Sequence, residues 1–257
     1  MTATVTYNMI TRDLQGSLDR IAARPEVERE SEYYLEHIGE VETIDDLLED
    51  DRLYNYAMRA HGLEDMIYAK AFMRKVLEEG AHDDKSFANQ LSDTRYKDFA
   101  ETFDFEAFGT ATTSTSATQQ GTVDKFLRQS LEEDTGVQNE GARLALYFER
   151  KAADIEDVFN ILGDQALLKV VQTTFNIPEE TAMMDIDLQA TMIERFLDVE
   201  DLQDSGKLTD FLNRFTATWE AQNATSWQQS NAILVGQSTT ISSDLLASIQ
   251  NLRLGGY

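Results

Sequence analysis

The chain has no cysteine among its 257 residues. That excludes disulfides, thiolate nucleophiles and cysteine-ligated zinc. Proline occurs twice, as Pro25 and Pro178. Because proline removes an N–H and crowds the preceding turn, its scarcity leaves long stretches free to be helical. Positive charge is also short: 22 Lys and Arg against 47 Asp and Glu give a net charge of −25. Such a field repels nucleic-acid phosphates and anionic lipid, so the expected partners are other protein chains, with no nucleic acid. No run approaches the ~18 apolar residues that read as a membrane span, so no membrane insertion is expected. Met1 to Ile10 lacks the basic-then-apolar order of a secretory signal.

What is present is helical periodicity. Leu208, Phe211, Leu212, Phe215 and Trp219 fall on one helical face, as do Ile186, Ala190, Ile193 and Leu197. Thr43 with Asp46 three residues on has the form of a helix-opening box. Gly62 and Gly80 stand where helices would end, since glycine takes the left-handed cap conformation at low cost. The predicted class is all-α.

Sliding the chain along itself by 114 residues aligns Tyr33-Tyr34 with Tyr147-Phe148, Val41 with Ile155, Ile44 with Val158, Asp50 with Asp164, and Leu63 with Ile177. Beyond Pro178 the offset becomes 120, pairing Met73 with Ile193 and Leu77 with Leu197. The expectation is an internal duplication of one helical module. The expected divisions are residues 1–108 (N-terminal helix and first module), 109–122 (a flexible Thr/Ser-rich linker), 123–222 (second module) and 223–257 (a polar tether and an amphipathic C-terminal helix). Met9, Leu14, Leu18 and Ile21 would lie on the N-terminal helix. Ile241, Leu245, Ile249 and Leu252 form the apolar stripe of the C-terminal one. A helix that short is marginal alone in water, so this stripe is the candidate partner-binding surface.

Motifs for chemistry are missing. His37, His61 and His82 form no H-E-x-x-H pair and read as partly exposed helix-end histidines. There is no G-x-S-x-G elbow and no phosphate-cradling glycine loop. Asp185 and Asp187 open like a calcium loop, but the sixth position has no glycine and Phe196 occupies the twelfth. Asp198, Asp201 and Asp204 lack the same elements. The seven acids among residues 40–51 read first as a solvated helix face and second as a dock for a basic partner. Tyr33, Tyr34, Tyr54, Tyr56 and Tyr68 read as helix packing. The expectation is a protein that is not an enzyme and needs no metal or other cofactor.

One family does resemble this chain. Asp50-Asp-Arg-Leu-Tyr-Asn-Tyr-Ala-Met-Arg-Ala-His-Gly-Leu-Glu64, Tyr68-Ala-Lys-Ala-Phe-Met-Arg-Lys-Val-Leu-Glu78 and Lys85-Ser-Phe-Ala-Asn-Gln-Leu-Ser-Asp93 are similar to domain of unknown function 1217. Asn139 to Phe148 and Ala166 to Gln172 are similar to it in a second copy. The resemblance covers most of residues 26–222. It implies a repeated α-helical module, an alphaproteobacterial source and a location beside flagellar genes, with no catalytic residues to carry over. The function so implied is a non-enzymatic flagellum-associated structural or assembly protein acting through helix-mediated protein–protein contacts. The alternative is a cytoplasmic helical adaptor or export chaperone holding a partner helix. The corresponding locations are the cytoplasm, or the bacterial flagellum by export without a cleaved signal peptide.

Overall fold

The computed structural model describes the backbone of residues 1–238 and the side chains of residues 1–223. Every regular element among them is helical, so the fold class is all-α. The chain opens with α1 (Ala3–Arg12) and α2 (Leu14–Ala22), parted by Asp13, whose carboxylate accepts the Gly16 N–H as the N-cap of α2. The single helix expected over Met9 to Ile21 is therefore two, and Met9 is exposed while Ile21 is buried. Helix α3 (Pro25–His37) begins on proline, which is tolerated there because a first-turn N–H has no partner inside the helix. Then come α4 (Ile44–Glu49), α5 (Asp51–Ala60), α6 (Lys70–Glu79), α7 (Phe87–Gln90), α8 (Thr94–Thr102) and α9 (Phe105–Phe108). After a stretch of tight turns follow α10 (Thr122–Gln138), α11 (Glu140–Lys151), α12 (Val158–Gly163), α13 (Gln165–Phe175), α14 (Ile186–Glu194) and α15 (Ser205–Ser238).

Local structure recurs at the 114-residue offset. The Thr43 hydroxyl accepts the Asp46 N–H and Asp46 accepts the Thr43 N–H, opening α4; Asp157 and Asn160 make the same reciprocal box for α12. Asp50 caps α5 through the N–H groups of Arg52 and Leu53, and Asp164 caps α13 through those of Ala166 and Leu167. Tyr33 donates to Asp50 at 3.2 Å and Tyr147 to Asp164 at 2.5 Å. After α5 the chain turns at Gly62 with φ 69°, and after α13 at Asn176 with φ 53°. Asparagine is the residue that best tolerates this conformation after glycine.

The buried side chains form one continuous core from Tyr7 to Phe215. It crosses the expected boundary between residues 1–108 and 123–222. Helix α10 packs on α5 as well as on α11, and α1 lies on α11 and α15. The Thr4 N–H donates to Glu220 at 2.7 Å and its hydroxyl to Thr216 at 3.2 Å, tying the N-terminal helix to the second half of the chain.

The stretch 109–122, expected to be a flexible linker, is packed. Thr112, Thr113, Thr118 and Thr122 are buried. Thr113 donates to the Val41 carbonyl at 2.7 Å, Thr118 to the Thr112 carbonyl at 2.9 Å, and Tyr34 to the Thr118 carbonyl at 2.7 Å. Threonine can bury its methyl group while its hydroxyl satisfies a carbonyl, so packing here needs no large apolar residue. The polar tether expected from residue 223 is likewise helical as far as Ser238, as the end of α15. Extending a formed helix adds one bond per residue fixed, so a polar sequence without proline can continue it. Ile241, Leu245, Ile249 and Leu252 lie outside the described residues.

Candidate functional site

The ends of α5 and α12, the starts of α8 and α13, and the flanks of α10 and α11 enclose a pocket of about 400 Å³. That size falls within the usual range for small-molecule sites. Acids outnumber bases two to one in the chain. In the pocket the bases hold a slight excess: Arg95, Arg143, Arg150 and Lys151 line it against Asp65, Asp93 and Asp164. Arg143, Tyr147, Arg150 and Lys151 sit at positions i, i+4, i+7 and i+8 of α11, so one helical face supplies them.

Each cation has a carboxylate partner. Arg95 is held by Asp93 through Nε and Nη2 and gives Nη1 to the Gly62 carbonyl. Arg150 reaches Glu132 through Nε and Nη2, both at 2.8 Å. Arg143 pairs with Glu140 along its own helix, and Lys151 with Asp154 at 3.5 Å. Burial opposes the charge on Arg95 and Arg150, but Asp93 and Glu132 override it and keep both firmly protonated. The Tyr147 phenol is pushed up by burial and by the Asp164 carboxylate it donates to, so it remains a donor. Beneath the pocket Glu132, only 1% exposed, also takes Nε of Arg128, giving a triad of one buried acid between the buried Arg128 and the partly buried Arg150.

His61 borders the same pocket but is not the partly exposed residue expected. It is buried, with Phe99 edge-on to its ring at 5.2 Å. Its Nδ1 lies 2.9 Å from Asp98, while Nε2 is buried without a hydrogen-bond partner. Burial drives the imidazole down to about 4 despite Asp98. Burial would raise the Asp98 carboxyl, but His61 and Lys125 hold it well below the usual carboxylate range. The neutral tautomer therefore carries its proton on Nδ1.

On the other side of the Gly163–Gln165 turn lies a second feature, a groove of about 570 Å³ between α7–α8 and α12–α14. Phe159, Leu162, Ile186 and Leu91 contribute its apolar wall. Ile186 had been expected on a buried stripe with Ala190, Ile193 and Leu197; those three are buried, but Ile186 is 54% exposed. Met183, Met184 and Leu188 beside it are exposed as well. Nine acids and one base, Arg195, occupy residues 179–204 around this run.

The remaining candidates are structural. In the acidic stretch, Asp46 and Asp50 cap helices, Asp51 pairs with Lys70 and Asp45 with Arg74. Asp185, Asp198 and Asp204 are caps too. Among the described residues no three metal-type side chains converge. Tyr34 stacks on Tyr56, which stacks on Phe126, while Tyr68 is exposed.

A family sequence profile described as "Protein of unknown function (DUF1217)" matches residues 60–208. This is a DUF1217 protein. No curated protein matches it. Its fold is similar to the crystal structure of protein AGR_C_984 from Agrobacterium tumefaciens, with a TM-score of 0.80 and 49% sequence identity. That likeness covers 87% of this DUF1217 chain and 97% of the other. Of the residues weighed for chemistry in the sequence, His61 lines the pocket, while the expected partner-binding residues Ile241, Leu245, Ile249 and Leu252 lie outside the described residues. The missed signal was the Arg143, Tyr147, Arg150, Lys151 face: a concentration of bases in a chain that has few.

Proposed function

We propose that this DUF1217 protein is a non-enzymatic structural or assembly component that binds a helical segment of another protein. The observation that supports the reading is the groove walled by Phe159 and Ile186, together with the exposed Met183, Met184 and Leu188 close to Ile186 in an acidic stretch of sequence. Exposed apolar side chains gathered in one place mark interaction surfaces. The nine acids and one base of residues 179–204, the segment that carries Ile186, favour one occupant: an amphipathic helix with one apolar face and basic flanks. The family resemblance supplies the context, the flagellum, with an adaptor or export chaperone as the alternative role. The stripe Ile241, Leu245, Ile249 and Leu252 is a second proposed contact. The recurring caps at the 114-residue offset support a duplicated module as the origin of the scaffold.

The test uses a fluorescent Leu/Lys amphipathic helix as probe. Anisotropy should report saturable binding that weakens as salt rises, because the acidic charges of residues 179–204 are screened. Phe159→Asp and Ile186→Asp should each abolish it with the helical signal intact. Equal binding by the variants would overturn the groove assignment. Recovery of tagged protein in purified flagella supports the structural role, and recovery in cytosol alone supports the adaptor.

A further inference from the structure

The pocket beside α11 has a capacity that its internal pairs leave unused, and that capacity is for donating hydrogen bonds. Two of its three acids are consumed. Both oxygens of Asp93 are taken by Arg95. Asp164 gives one oxygen to the Ala166 and Leu167 N–H groups and the other to Tyr147. Asp65 lies at the rim, 3.9 Å from Arg95. The bases are only partly consumed. Arg143 and Arg150 use Nε and Nη2 on Glu140 and Glu132, and among the described residues nothing accepts from either Nη1. The Gln165 N–H, the first of α13, has no acceptor among them either, while the next two are capped. α13 has 11 residues, long enough for its N-terminus to carry a useful positive end. Two arginines with an unused Nη1 and one helix N-terminus thus line one cavity of about 400 Å³.

We propose that this pocket binds a small anion through a carboxylate or phosphate group, held by Nη1 of Arg143, Nη1 of Arg150 and the α13 N-terminus. Guanidinium edges match the planar or tetrahedral oxygens of such groups, and charge-assisted bonds are the strong ones. Tyr147 fixes Asp164 and thereby the start of α13, so it is a positioning residue. The acidic exterior opposes the approach of anions, which favours ligands small enough to enter the pocket completely.

Isothermal titration and thermal melts of the full chain test this, with inorganic phosphate and succinate as probes. At least one should bind saturably at one site and raise the melting temperature, since a ligand of the native state stabilises it. Arg143→Gln removes a donor whose internal partner is at the surface. Gln165→Glu places a carboxylate in the first helical turn, where it is compatible with the fold but repels an anion. Each should weaken binding by about ten-fold, the factor for 1.4 kcal/mol. Arg12→Gln, at a residue that lines neither the pocket nor the groove, and Phe159→Asp, in the groove, should leave it unchanged. The last variant separates this site from the groove reading, on which it does not depend. If Arg143→Gln fails to fold, Gln165→Glu decides alone. Absence of saturable binding by both probes, or wild-type binding by Gln165→Glu, overturns the proposal.

Discussion

Nδ1 of His61 lies 2.9 Å from one oxygen of Asp98, and the Lys125 ammonium lies 2.7 Å from the other. The carboxylate therefore joins the end of α5 to α8 and α10. Because His61 is held neutral to about pH 4, the unfolded chain takes up a proton near 6.5 that the native chain refuses. Stability from this site is fully present above pH 6.5 and is lost as pH falls toward 4. The shift corresponds to on the order of 3 kcal/mol at its limit. Urea titrations at pH 7 and pH 4.5 measure the loss. His61→Gln should flatten the difference, and an unchanged acid slope in the variant would show that other groups cause it.

Trp219 lies against Gly141, where a Cβ would come within 2.4 Å of its Cδ1. That close approach seats α15 on α11. Gly141→Ala should push the indole out and destabilise the fold by about 1–3 kcal/mol, the usual cost of overpacking. Thermal melts followed by tryptophan fluorescence read both effects. A more stable variant would mean that helix propensity outweighs the contact.

Glu132 neutralises Arg128 and Arg150 inside the protein. Glu132→Gln leaves the buried Arg128 and the partly buried Arg150 with one remaining acid nearby, Glu149, 3.5 Å from Arg128. Breaking a buried pair in this way costs about 3–5 kcal/mol. Chemical denaturation should show a midpoint shift of that size. A loss under 1 kcal/mol would place water at the triad.

The Thr/Ser stretch 109–122 should resist proteolysis while the protein is native. Proteinase K needs an extended substrate, and here Thr112, Thr113 and Thr118 are buried and bonded. Thr118→Val should cost about 1 kcal/mol through the lost hydroxyl bond and increase cleavage there. Rapid cutting of the wild type at 109–122 would restore the linker reading.

Helix positions were legible in the sequence because they depend on neighbours three and four residues away. The Thr43–Asp46 box, the turn at Gly62 and the face running through Leu212 and Phe215 follow from spacing alone. The family was legible as well, since it rests on the residues themselves. Tertiary structure decided which faces meet. Nothing local says that α1 lies on α11 and α15, that Ile186 leaves its stripe for a groove, or that threonines 112, 113 and 118 find carbonyls. The pocket belongs to the same category. Arg95 and Arg150 are 55 residues apart; Asp93 holds Arg95 from the cap of the same helix, whereas Glu132 reaches Arg150 from α10. Hydrophobic burial is non-directional, so a sequence pattern says that a face will be covered without saying by what. Long-range hydrogen bonds and charge pairs form only after that choice is made, and they assemble both the pocket and the groove.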